Sequence, residues 1–169
     1  NGMGFDVVDL TWRGEPLLHP EVVLVLQDVL GAVERGVFRE MRIRTDGRLL
    51  NTQIADVTAG FDIPQTWILP GNAAEAWEEQ VLRNMDYFLT VRNAQQRVVA
   101  SWRVDEALDP HAFVESWEGR LNTPWMQAGT AAPTGDGILF SRSDHDHFQA
   151  TKEARDRLEE VAEVLDIKC

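Results

Sequence analysis

A short segment, SRSDHDHFQA at positions 141–150, contains two aspartates and two histidines in strict alternation. In an extended backbone alternate side chains project to the same side, so His145 and His147 would present their imidazoles together. Imidazole nitrogens bind zinc and iron, and Asp144 would add a carboxylate oxygen. These three residues are therefore a candidate metal site, although nothing in the spacing of the remaining histidines supplies a fourth ligand.

The same segment also has a structural interpretation, as the start of a helix. Asp146 stands at an N-cap position, and Gln149 three residues later completes the pattern of a capping box. Alternatively, Ser143 is the cap and Asp146 lies in the first turn, where negative charge suits the helix dipole. We favour the cap over the metal site, because H-x-H with one loose carboxylate occurs often by chance.

Arginines are concentrated in the segments that we predict to be hairpins, and carboxylates in the predicted helices. An exposed sheet face that carried Arg42, Arg44, Arg97 and Arg103 would bind a small anionic ligand or an acidic peptide through bidentate hydrogen bonds. The alternative, which we favour, is that these guanidiniums pair with carboxylates of neighbouring helices.

The strongest compositional signal is charge, since 16 Lys and Arg stand against 28 Asp and Glu and give a net charge of −12. Repulsion from phosphates argues against binding to nucleic acid or to an anionic membrane. A basic protein partner is favoured instead, because opposite charge steers the encounter; the alternative, to which we give more weight, is that the charge serves solubility alone. The predicted contacts are Glu159, Glu160 and Glu163 on the outer face of the last helix, with Trp125 as an anchor.

Motifs of common enzyme classes are missing from the sequence. It has no G-x-x-x-x-G-K-[ST] phosphate loop, no G-x-S-x-G nucleophile elbow and no H-E-x-x-H zinc motif. The sequence leaves the identity of any cofactor and the oligomeric state unknown. We therefore predict a small acidic protein that acts by protein–protein binding, such as an inhibitor or immunity-type protein. The alternatives are a small metal-dependent enzyme or metal-binding protein that uses segment 144–147, and a binder of small anions.

Hydrophobic periodicity and turn residues divide the chain into elements that must position these side chains. Helices are predicted after Pro20, from Asn72 as N-cap, from Asp109-Pro110, and at the C-terminus from His147. Two hairpins are predicted at 37–54, turned by Asp46-Gly47, and at 85–104, turned by 93–96. Shorter strands are predicted at 4–12, 66–70 and 138–141, and a flexible loop at 127–137.

These elements predict one α+β domain over residues 3–169, with Asn1 and Gly2 interpreted as additions ahead of a natural Met3. Its sheet would be mainly antiparallel, built from the two hairpins and the short strands, and covered by about four helices that include an amphipathic C-terminal one. The longest apolar run, Val22–Leu26, is too short to span a membrane. A single cysteine, Cys169, excludes an internal disulfide and favours a cytoplasmic location.

Overall fold

The computed structural model describes residues 5–10, 14–71, 79–103, 109–121, 125–128, 135–141 and 152–167. Strands and helices alternate along this part of the chain, with one short 3-10 helix after the first strand. In chain order the elements are β1 (Phe5–Asp9), the 3-10 helix (Pro16–Leu18), α1 (Val22–Glu34), β2 (Phe38–Arg44), α2 (Thr52–Ala59), β3 (Gln65–Gly71), α3 (Glu79–Val91), β4 (Gln96–Arg103), α4 (Pro110–Glu118), β5 (Trp125–Ala128), β6 (Gly137–Ser141) and α5 (Lys152–Val164).

The six described strands form one sheet in the order β1-β2-β3-β4-β6-β5, and every pairing is parallel. Parallel neighbours need a long crossover between them, and the described helices α1 to α4 lie in those crossovers. The fold is therefore α/β. The predicted α+β class with a mainly antiparallel sheet is wrong, because every strand pairing is parallel, and the described residues contain five helices where about four were predicted.

The first predicted hairpin is wrong because its turn leads into a helix. Gly47 adopts the positive φ of 79° that the Asp-Gly turn was expected to need. Asn51 then caps α2, its side-chain oxygen accepting a hydrogen bond from the backbone N–H of Ile54 at 3.0 Å. The chain thus leaves β2, forms α2 and returns to the sheet as the parallel strand β3.

The second predicted hairpin is wrong in its first half, because residues 85–91 belong to α3. Buried Val81, Met85 and Phe88 follow the i, i+4, i+7 spacing of a helix face. Phe88 packs against Trp67 of β3, with ring centroids 4.9 Å apart. The second half of the prediction is confirmed as β4, and Asp109 caps α4 as expected, accepting from the N–H of His111 at 2.9 Å.

One face of the sheet carries the hydrophobic core. Buried residues of all five described helices belong to one cluster with the alternate strand residues that face them: Met41, Ile43, Trp67, Leu69, Val98, Ala100, Trp102, Ile138 and Phe140. The other face carries Glu40, Arg42, Thr66 and Arg97 on β2 to β4, together with buried apolar Val99 of β4 and Leu139 of β6. This alternation of apolar and polar residues is typical of antiparallel strands, and it explains the wrong prediction. None of the described helices combines the length and apolar character that a membrane span requires.

Candidate functional site

The acidic end of α5 consists of the exposed carboxylates of Glu159, Glu160 and Glu163. Leu158, Val161 and Ala162 are buried on the opposite side of the helix. The three glutamates were predicted to lie on the outer face of the helix, and their exposure agrees with this prediction. Residues 158–167 contain four acidic residues and no Lys or Arg.

Negative charge at this position is electrostatically unfavourable for the helix itself. The last turns of a helix carry the negative end of its dipole, and the last turn of α5 contains no basic residue. Glu159 and Glu163 are four residues apart, a spacing at which like charges destabilise a helix by about 0.2–0.5 kcal/mol. A cation bound at this end would relieve both effects.

Trp125, the predicted anchor, begins the edge strand β5 and does not lie in a loop as expected. Helix α5 contacts both β5 and β6, so α5 and Trp125 belong to the same edge of the sheet. The predicted loop 127–137 also begins and ends in strands, with residues 127–128 in β5 and residue 137 in β6. Its central part, 129–134, lies outside the described residues.

The predicted arginines lie on one face of the sheet, but Arg103 is at the opposite end of β4 from Arg97 and is not beside the others. Arg42, Thr66 and Arg97 are direct register partners on β2, β3 and β4, and Arg44 follows two residues later on β2. Arg103 is the last residue of β4. The four positions therefore share a face by register.

Arg97 is engaged by a carboxylate, as the favoured alternative expected, but that carboxylate lies on a strand. Its Nη2 lies 2.9 Å from Oε1 of Glu40, with both side chains about four-fifths buried. Thr66 joins the pair, because its hydroxyl donates to Glu40 and accepts from Nε of Arg97. The Arg42 side chain is half-buried beside them, and its guanidinium makes no hydrogen bond or ion pair within the part of the chain that the structure describes.

The Glu40 carboxyl is held in its ionised form. Burial raises its pKa, but the hydrogen bonds from Thr66 and Arg97 and the charges of Arg97 and Arg42 outweigh burial, so the pKa lies below its ordinary value. Glu40 therefore neutralises part of the positive charge of the two guanidiniums. The remaining positive charge is centred on Arg42.

An apolar groove between β1, the 3-10 helix and α1 was not anticipated from the sequence. It has a volume of about 440 Å³, and its lining includes Leu10, Leu18, Val22, Val25 and Ile43. The signal was present in the run EVVLVLQDVL, which is apolar at more positions than one helix face can bury. Exposed Leu24 and Val25 are the consequence.

The candidate metal ligands Asp144, His145 and His147 lie outside the described residues, as does the proposed cap at Asp146. Among the residues that are described, no three His, Cys, Asp or Glu side chains are grouped to hold a metal ion. No protein-family model, curated protein or solved structure matches this chain. Function is therefore inferred from the chain's own surfaces.

Proposed function

We propose that this protein acts by binding a basic protein partner through the acidic end of α5. The observation that carries the proposal is the set of exposed carboxylates of Glu159, Glu160 and Glu163 at the negative end of the helix dipole. Neutralisation of a basic enzyme, as by an inhibitor or immunity-type protein in the cytoplasm, is the most concrete form of this role.

The net charge of −12 supports the same role at longer range. Complementary charge accelerates association by about 10–1000-fold at low ionic strength, and salt screens this effect. A partner that docks on α5 would therefore associate quickly, and its association rate would fall steeply as salt is added.

The test begins with capture of the tagged protein from lysate of its own cell, after nuclease treatment and with washes of increasing salt. The captured partner is then purified, and its association rate is measured against the wild type and a variant with Glu159→Lys, Glu160→Lys and Glu163→Lys. We expect the variant to associate at least about tenfold more slowly, with a shallower dependence on salt.

A matched control separates the helix surface from net charge. The variant Asp62→Lys, Glu115→Lys, Glu118→Lys changes three exposed acids outside α5. Each of the two triple variants replaces three negative charges by three positive charges, and so moves the net charge from −12 to about −6. Equal slowing in both would show that only total charge matters, and an unchanged rate in the α5 variant would remove α5 from the interface.

Binding of a small anion at Arg42 is a second candidate function. It is favoured by a half-buried guanidinium that has no hydrogen bond or ion pair among the described residues and lies in register with Thr66. A thermal-shift screen of phosphorylated and carboxylated metabolites tests it, because a ligand of the native state raises the melting temperature. Arg42→Gln should abolish the rise, whereas Arg39→Gln, which changes an exposed arginine of the same strand, should preserve it. A rise that survives Arg42→Gln would exclude this site.

A further inference from the structure

The groove beside α1 is concave and mostly apolar. Leu10, which directly follows β1, and Ile43 of β2 contribute to its lining, and Val22, Val25 and Leu26 contribute from α1. Its volume of about 440 Å³ corresponds to about 15 water molecules at their liquid density. A partner that inserted several apolar side chains would release this water from apolar surface.

Two apolar side chains that line the groove are open to solvent, Leu18 largely and Val25 in part. Leu18 is 70% exposed on the 3-10 helix, and Val25 is 36% exposed on α1. Scattered apolar residues are normal on a protein surface, but exposed ones around an apolar concavity are typical of binding sites. Leu24, 58% exposed on the same helix, does not line the groove.

Hydrogen bonds hold the groove wall in place without a partner. The Glu15 carboxylate accepts from the N–H of Leu17 at 2.9 Å, from the Thr45 hydroxyl at 2.7 Å and from the N–H of Asp46 at 2.8 Å. These bonds connect the 3-10 helix to the end of β2. The binding surface is therefore preorganised, which lowers the entropic cost of association.

The charge around the groove indicates its occupant. Residues 14–34, which include the 3-10 helix and α1, contain four acidic residues and no Lys or Arg. A second copy of the chain would bring the same negative charge to this surface and would be repelled. An apolar segment that carries Lys or Arg beside its apolar side chains complements both the lining and the charge.

We propose that this groove docks an amphipathic segment of a protein partner, with apolar side chains inserted and basic side chains along its flanks. The inference extends the proposed function to a second surface, because α1 contacts β2 whereas α5 contacts β5 and β6 at the other end of the sheet. A basic partner that used both surfaces would bind across the molecule.

The test uses a fluorescent synthetic helix of about 16 residues, with Leu at i, i+3, i+4 and i+7 and Lys on both flanks. A matched peptide keeps the Lys residues and replaces every Leu by Gln, since an acidic protein attracts any cation. Anisotropy should show binding of the first peptide and at least about tenfold weaker binding of the second.

Variants of the protein then locate the site. The double variant Leu18→Asn, Val25→Asn should weaken binding about tenfold, and Leu24→Asn should leave it within about twofold, because only the first two residues line the groove. All three positions are exposed, and unchanged far-ultraviolet dichroism would show that the variants fold. The variant with Glu159→Lys, Glu160→Lys and Glu163→Lys should still bind the Leu peptide more tightly than the Gln peptide. The proposal for the groove and the proposal for α5 can therefore fail independently.

Three outcomes would overturn the inference. Equal binding of the Leu and Gln peptides would mean that charge alone is responsible. Equal weakening by Leu24→Asn and by the double variant would place the contact outside the groove. Sedimentation that showed a dimer of the wild type and a monomer of the double variant would assign the groove to a second copy of this chain.

Discussion

Asp136 and Arg92 form a largely buried ion pair that connects three elements of the fold. Arg92 follows the last residue of α3, and Asp136 precedes β6. Their two hydrogen bonds are parallel, with Nη1 2.6 Å from Oδ1 and Nη2 2.5 Å from Oδ2. Asp136 Oδ1 also accepts from the N–H of Val98 at 2.9 Å, so the carboxylate joins α3 to β4 as well as to β6.

We predict that Asp136→Asn destabilises the fold by about 2–3 kcal/mol. Removing one member of a buried pair costs about 3–5 kcal/mol, because the remaining charge loses its partner away from water. The Arg92 and Asp136 side chains are 17% and 12% exposed, and the asparagine oxygen still accepts one hydrogen bond, so we expect a loss just below that range. At about 2–4 °C per kcal/mol for a chain of this size, the melting temperature should fall by about 4–12 °C.

Urea unfolding followed by tryptophan fluorescence measures this change. Asp6→Asn is the matched control, because Asp6 pairs with Arg39 at 3.2 Å while the two side chains are 75% and 85% exposed. Surface pairs contribute about 0–1 kcal/mol, so the control should change the free energy of unfolding by less than about 0.5 kcal/mol. Equal losses in the two variants would refute the reasoning, because burial would then make no difference to the value of the pair.

The remaining predictions concern Glu40 and Gly47. Because the folded-state pKa of Glu40 is lowered, its pair with Arg97 stabilises the fold at neutral pH, and this contribution is lost as pH falls through the lowered pKa. Glu40→Gln should therefore reduce stability at pH 7 and much less at pH 3 in parallel urea titrations; a loss that did not depend on pH would contradict the assignment. Gly47→Ala should lower the melting temperature more than Gly36→Ala, because both have positive φ but only the first places its methyl 3.2 Å from Val81. Equal shifts would show that backbone conformation alone decides the effect.

The sequence predicted helix starts and buried helix faces correctly where they depend on residues that are close together in the chain. Asp109 and Pro110 start α4 because a carboxylate satisfies a free N–H and proline suits the first turn. The spacing of Leu158, Val161 and Leu165 likewise gave the buried side of α5 and hence the exposure of its glutamates. Both predictions depend on residues within one or two helical turns of one another.

Strand pairing was not predictable in the same way, because it depends on what covers each face. The described helices pack on one face only, so β2 alternates polar Glu40 and Arg42 with buried Met41 and Ile43. An antiparallel strand with one wet face has the same pattern. The alternation alone therefore cannot distinguish the two arrangements.

The groove beside α1 was missed for a related reason. It is lined by Leu10, which follows β1, by Ile43 of β2 and by Val25 of the helix that connects the two strands. The sequence showed that α1 has more apolar residues than one buried face requires. It did not show which of the remaining apolar side chains would line a groove. Likewise, the partner of Arg97 lies on a strand 57 residues earlier in the chain, where no sequence pattern connects the two.

The position of β6 has a consequence for folding during synthesis. Strands β1 to β4 join the sheet in the order in which the ribosome makes them, but β6 lies between β4 and β5. The 13 residues that follow Ala128, up to Ser141, take about 0.7–2.6 seconds to translate, and until they emerge β5 has no described strand beside it. During that interval one edge of β4 and both edges of β5 remain open to pairing with other chains, so this is the stage at which a nascent chain would benefit most from a chaperone.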